Sequence, residues 1–161
     1  MILAFDTYYY DNKAFTVGIG FSSWQDQKPK EVYSQELEGI AEYEPGLFYK
    51  RELPCILSLL KEVDNTKIEL IIVDGYVQLD DAGKLGLGGY LYEKLNKKIP
   101  IIGVAKSGYH KNILNNKALL RGESKNPLYI SSIGIELNVA YEHIKSMHGK
   151  YRMPALLQIL D

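Results

Sequence analysis

Three carboxylates in this chain stand where carboxylates are costly. Asp6 closes the apolar run MILAFD, Glu52 lies inside EPGLFYKRELP, and Asp74 ends the run IELIIVD just before Gly75. A carboxylate at the end of a buried strand is poorly solvated and costs free energy unless a positive group meets it. Three that converge repel one another, and a divalent cation with oxygen ligands relieves the repulsion. Two acids sharing a metal, with a third from a helix, can orient and activate a water for in-line attack on a phosphodiester. Lys106 follows another apolar run, IPIIGVA, and an ammonium there can stabilise charge building on the phosphate. The first expectation is therefore metal-dependent phosphoryl transfer. Asp6 and Asp74 would hold Mg²⁺, Glu52 would bind it or position the water, and Lys106 would contact phosphate.

These residues need elements to carry them. Residues 2–5 form a short apolar strand, and Asp11-Asn12-Lys13 has the composition of a hairpin turn. Residues 14–21 alternate with Phe15, Val17, Ile19 and Phe21 on one face, and VYSQEL supplies a third strand. Three such strands in succession make an antiparallel meander. Pro45 can open a helix, and Phe48, Ile56, Leu59, Leu60 and Val63 have helical spacing. Pro54 has no N–H to donate, so a kink or two short helices meeting there is expected. Glu52 lies four residues after Phe48 and four before Ile56, so a helix running through would turn it toward the core.

IELIIVD (68–74) and IPIIGVAKS (99–107) have the continuous apolar character of central strands. Between them AGKLGLGGYLYEKLN leads into or forms a helix, in which Gly86, Gly88 and Gly89 serve close packing. No Gly-Lys-Ser/Thr follows to make a phosphate loop. KALLRG and PLYISSIG form a last pair of strands, and IELNVAYEHIKSM an amphipathic helix. The fold class is α/β: a mixed sheet whose first three strands are antiparallel, flanked by helices. Sites in such sheets gather at the carboxyl ends of strands, where Asp6, Asp74 and Lys106 stand.

A chain of 161 residues has room for one domain with a real core, taken as 1–161. Its 46% apolar and 24% charged residues are ordinary for a globular protein. A net charge of -1 and a sequence pI near 6.3 exclude a uniformly basic nucleic-acid coat. They leave room for a nuclease whose metal and local patches supply the positive field. The lysines, and Arg121 with them, read individually as solvated surface. No apolar run approaches the roughly 20 residues needed to cross a bilayer. The first residues read as a strand rather than a signal peptide. The lone Cys55 permits no internal disulfide, suits a reducing cytoplasm, and reads as a small buried hydrophobe.

YEPGLFYKRELP (43–54), IIVDG (71–75), KLG (84–86) and IPIIGVAKS (99–107) resemble the endonuclease V family in order and separation, across most of the chain. The resemblance implies a ribonuclease H-like fold and Mg²⁺-dependent cleavage of nucleic acid, with Mn²⁺ as a substitute metal. The cut would fall near deaminated purines, chiefly inosine, as in DNA repair. Residue by residue, the family's strand-one aspartate matches Asp6, its R-E glutamate Glu52, its D-G aspartate Asp74 and its post-strand lysine Lys106. Tyr43 matches the strand-separating wedge, and Pro45, Gly46 and Gly75 fall in the matching substrate-binding motifs. The implied partner is DNA or RNA, with no membrane, and the protein is expected to be a monomer.

The chain also departs from the family. The Q-G-x-x-H-P-R segment becomes YVQLDDAG (76–83), the S-H of the following helix becomes GGY (88–90), and the late V-S-P-G-H becomes ISSIGI (130–135). The usual leading helix is not seen, and the C-terminal end is short. Asp80-Asp81 is either a solvated turn or extra negative charge where the family's arginine would meet phosphate. Tyr8, two residues after Asp6, can stack on a base or simply pack. His110, His143 and His148 have no metal-ligand spacing and read as surface. The alternative to an inosine-directed nuclease is a nucleic-acid-binding domain of the same fold that has lost turnover or shifted substrate.

Overall fold

The computed structural model describes residues 1–39, 48–109 and 111–160. Its first three strands are β1 (Ile2–Tyr10), β2 (Lys13–Phe21) and β3 (Glu31–Glu38), paired antiparallel as a meander. Asp11 and Asn12 both have positive φ, 45° and 63°, giving the two-residue hairpin turn whose twist matches the strands. β1 runs further than the 2–5 expected. Tyr8, Tyr9 and Tyr10 stay in register with Phe15, Ala14 and Lys13, because aromatic side chains suit a pleated, half-buried surface.

Helix α1 (Phe48–Leu60) is a single 13-residue helix with Pro54 inside it. The chain therefore does not divide here into two short helices. Pro54 and Lys50 both lie on the exposed side, so the Lys50 carbonyl that loses its N–H partner can be hydrated. After a short 3-10 turn (Asn65–Lys67) come β4 (Leu70–Asp74), α2 (Leu87–Lys94) and β5 (Ile101–Ala105). β6 (Lys117–Leu119), β7 (Leu128–Ile133), α3 (Leu137–Ser146) and α4 (Ala155–Leu160) complete the order.

The described strands make one seven-stranded mixed sheet, β3-β2-β1-β4-β5-β7-β6. β1, β4 and β5 are parallel neighbours, and the expected last pair, β6 and β7, returns antiparallel beside β5. Strand alternation divides the core. Ala4, Ile72, Ile102 and Val104 face α3 and α4, packing with Ile144, Leu157 and Leu160. Leu3, Phe5, Ile71, Val73 and Ile101 face α1 and α2, packing with Ile56, Leu59 and Leu91. Each of these side chains larger than alanine contributes about 1.5–3 kcal/mol on burial, so both layers hold the strand ends firmly. A methyl on Gly88 would stand 2.9 Å from the Val77 side chain, and one on Gly89 2.7 Å from the Val77 carbonyl oxygen. The glycines therefore serve close packing, as expected. Among the described residues no helix is long and apolar enough to cross a membrane.

Candidate active site

Register alone aligns the strand-end groups. Ala4 of β1 is paired with Ile72 of β4, so two residues on, Asp6 and Asp74 stand level on adjacent parallel strands. Asp74 is itself paired with Val104 of β5, and Lys106 follows two residues later. Ala4, Ile72 and Val104 face α3 and α4, so alternation sends Asp6, Asp74 and Lys106 to that same side. All three line a small cavity of about 30 Å³ whose apolar wall includes Met153, Leu157 and Leu160. The Thr7 amide donates to Asp6 Oδ1 at 2.9 Å.

Glu52 reaches the strand ends from the other side, on α1, and is 3% exposed. The inward direction read from its spacing is therefore correct. Its carboxyl is pushed up to about 8, first by burial and then by the negative fields of Asp6 and Asp74. A hydrogen bond from Thr7 and the charge of Arg51 pull the other way and do not offset this. Glu52 thus lies within electrostatic reach of both strand-end aspartates. Among the described residues no three His, Cys, Asp or Glu side chains already stand together as a metal cage. Asp6 and Asp74 leave one face of the sheet while Glu52 approaches from the other. The donor chemistry nevertheless fits a hard divalent cation: carboxylate oxygens, an excess of negative charge and partial burial.

The neighbours of Glu52 are a packed polar cluster. Thr7 Oγ1 lies 3.2 Å from Thr16 Oγ1, and the Arg51 guanidinium sits 3.5 Å above the centre of the Tyr9 ring. Burial, with Glu52 next in weight, raises Tyr9 above the ordinary tyrosine range. Cys55 is 1% exposed, and burial pushes its thiol up, which suits the inert hydrophobe expected and not a nucleophile. Tyr8 is 39% exposed and, by alternation, shares the face of Asp6.

Gly75 turns the chain off β4 with φ +118°, its amide donating to the Val104 carbonyl at 3.1 Å. It also borders a second cavity of about 460 Å³, lined in part by Tyr76, Lys84, Ser107, Tyr109 and Lys111. Tyr76 spans one side of it, donating to the Ser107 carbonyl at 2.6 Å, and its hydroxyl is pushed up to about 12, chiefly by burial. Asp80 and Asp81 prove to be loop builders. Asp81 Oδ1 accepts from the Ile113 and Leu114 amides, both at 2.7 Å, and Asp80 Oδ1 accepts from the Lys84 amide at 3.0 Å. Asn112 and Asn115 donate back to the carbonyls of Gln78 and Asp80.

Of the residues singled out from the sequence, Asp6, Glu52, Asp74 and Lys106 come together at the strand ends, with Gly75 and Tyr8 beside them. Tyr43, Pro45 and Gly46 lie outside the described residues. Arg121, read as surface, is 7% exposed and bound to backbone carbonyls. The sequence reading missed α4, whose Leu157 and Leu160 wall the acidic cavity. Its signal was present in Pro154 ahead of Leu156, Leu157 and Leu160 at helical spacing.

A mixed sheet of this order, with acids at the carboxyl ends of adjacent parallel strands, defines a ribonuclease H-like domain. The endonuclease V family model matches residues 1–118, and the chain belongs to that family of nucleases. It is 31% identical over 156 residues to endonuclease V of Dehalococcoides mccartyi, covering 84% of this chain and 68% of that protein. Against endonuclease V of Nostoc punctiforme it is 30% identical over 138 residues, covering 74% and 61%. The chain thus spans about two thirds of the length of these curated relatives. The fold is similar to that of Ciona intestinalis endonuclease V, solved with a 24mer DNA containing an inosine followed by a ribo-adenosine. The TM-score is 0.79 at 19% identity, over 98% of this chain and 81% of that one.

Proposed function

We propose that this chain is a Mg²⁺-dependent endonuclease, acting as a single domain, that cuts a phosphodiester bond in DNA or RNA near a deaminated base, inosine first. The observation that carries the reading is the buried Glu52 carboxyl, raised to about 8 by burial and by the negative fields of Asp6 and Asp74, with Lys106 lining the same cavity as the two aspartates. A protein that needed only stability would have little reason to bury Glu52 within the fields of two further carboxylates at the edge of its core.

Asp6 and Asp74 would hold the cation from adjacent strand ends, with Glu52 completing the set or orienting the attacking water. Bound there, the metal supplies Lewis-acid polarisation of the phosphate and lowers the pKa of a water. Lys106 lies where an ammonium can meet the developing charge on the phosphate oxygens. Tyr8 offers an exposed ring for stacking, and Gly75 lets the backbone turn close to a substrate. Tyr43, Pro45 and Gly46 are assigned to the strand-separating wedge and its turn on the sequence resemblance alone. Endonuclease V of Ciona intestinalis was solved with inosine-containing DNA, which supports the choice of lesion.

One observation favours a second reading, a shifted substrate. Tyr76 and Asp80 border the cavity next to Gly75, where the family pattern would have Q-G-x-x-H-P-R. A panel of inosine, uracil, mismatch, flap and plain single-stranded oligonucleotides, each with Mg²⁺ and with Mn²⁺, separates the two. Metal-dependent cutting of the inosine strands supports the first reading. Cutting confined to other strands supports the second. Binding without cutting in any arm would leave a non-catalytic domain.

A further inference from the structure

We infer that Arg152 is a positioning residue for Lys106, and that the buried Arg121 holds Arg152 in place. The inference rests on the proposed role of Lys106 at phosphate. Lys106 has a long, flexible side chain, so where its ammonium can reach depends on how its backbone is anchored. Two side chains fix that anchor. Arg152 Nη2 donates to the Lys106 carbonyl oxygen and, at 2.8 Å, to that of Pro127, just ahead of β7. Tyr76 donates to the next carbonyl, Ser107, at 2.6 Å. A guanidinium suits this task because its donors project from a rigid plane toward two carbonyls at once.

Arg152 is held in its turn. Arg121 Nη2 donates to the carbonyls of Met147 and Gly149 at 2.7 and 3.1 Å, and Nη1 to those of Tyr151 and Arg152 at 2.7 and 3.3 Å. Gly122 admits the same turn, since a methyl there would stand 2.4 Å from the Lys150 carbonyl oxygen. Side-chain-to-backbone hydrogen bonds thus run from just after β6, through the turn before α4, to the residue after β5. Met153 and Leu157, next along, wall the cavity that Lys106 enters. Arg121 and Arg152 both lie beyond residues 1–118, the part of the chain that the family model matches.

A double-mutant cycle on the full chain tests the idea, using Lys106→Met, Arg152→Met and their combination. It is read on Mg²⁺-dependent cleavage of an inosine-containing oligonucleotide and, separately, on affinity for the same oligonucleotide without turnover, with melting temperature as a control. Arg152→Met is expected to lower kcat on the order of tenfold to a hundredfold, with at most a several-fold change in KM. It should add nothing further once Lys106 is already Met. Affinity should show the same non-additivity at a several-fold scale. Arg152→Lys, which keeps the charge but grips only one carbonyl, should fall between and serves if Arg152→Met does not fold. Independent, multiplying losses in the two backgrounds, or wild-type behaviour of Arg152→Met in both readouts, would overturn the inference. If wild type cuts nothing, the proposed nuclease function fails while the affinity cycle still decides the role of Arg152.

Discussion

Gly103 of β5 lies against the carbonyl oxygen of Gly75: a methyl on Gly103 would stand 2.5 Å from that oxygen and 2.6 Å from Ser131 Oγ. Ser131 Oγ in turn accepts from the Val77 amide at 3.0 Å. Three strands therefore converge one residue past Asp74, and the absence of a side chain at 103 sets how low the Gly75 turn can sit. Gly103→Ala should destabilise the protein by about 1–3 kcal/mol through overpacking, read as a lower urea midpoint at unchanged m. It should also lower cleavage beyond what stability loss explains, because Asp74 is displaced with the turn. Unchanged stability would show that the turn rides freely over β5.

Asp74→Asn removes one strand-end carboxylate while keeping its shape. Cleavage should fall by more than about a hundredfold, since losing a direct ligand costs more than losing the groups that orient one. The melting temperature of the metal-free protein should hold or rise, because the repulsion on Glu52 is relieved. Cleavage at wild-type level by this variant would end the metal-site proposal.

Lys106→Met keeps the length of the side chain and removes its charge. The expected loss is on the order of a hundredfold in kcat, the usual scale for removing one donor aimed at developing negative charge. Metal affinity, followed by Mn²⁺ titration, should change little or increase, since a cation beside the acids has been removed. A loss confined to KM would reassign Lys106 to ground-state binding.

Glu52 makes stability depend on pH in a defined direction. Its ordinary value is near 4.5 and in the fold it is about 8. Below the lower value both states hold the proton. Between the two, the unfolded chain releases it and the folded chain keeps it, so folding stability falls as pH rises and levels off above the higher value. The slope approaches about 1.4 kcal/mol per pH unit at most. Metal-free wild type should therefore melt lower at pH 8 than at pH 5, and Glu52→Gln should flatten the difference. Mg²⁺ should restore wild-type stability at pH 8 and do little for Glu52→Gln. A metal-free protein whose melting temperature climbs from pH 5 to pH 8, with Glu52→Gln showing the same rise, would contradict this account.

The parts legible in the sequence were those written in local pattern. The ends of β4 and β5 follow from uninterrupted apolar runs, and the inward turn of Glu52 follows from its spacing between Phe48 and Ile56. Pro54 does not split α1 in two, because its cost depends on whether the Lys50 carbonyl meets water or core, which is settled by packing and not by the chain. Arg121 misled for a related reason. Nothing adjacent in sequence marks it as buried, because its four partners are carbonyls some thirty residues away. The short helix α4 was overlooked because six residues carry too little periodicity to stand out, although Leu157 and Leu160 close one wall of the acidic cavity.

The bonds that Asp80 and Asp81 make with residues 111–115 have a mechanical consequence. The segment after β4 and the segment before β6 share five hydrogen bonds through the Asp81 amide, the Asp81 carboxylate, Asn112 and Asn115. Neither can swing outward without tearing its seam to the other. The rim of the larger cavity should therefore behave as one hinged flap rather than two independent loops, admitting a bulky ligand in a single concerted opening or not at all.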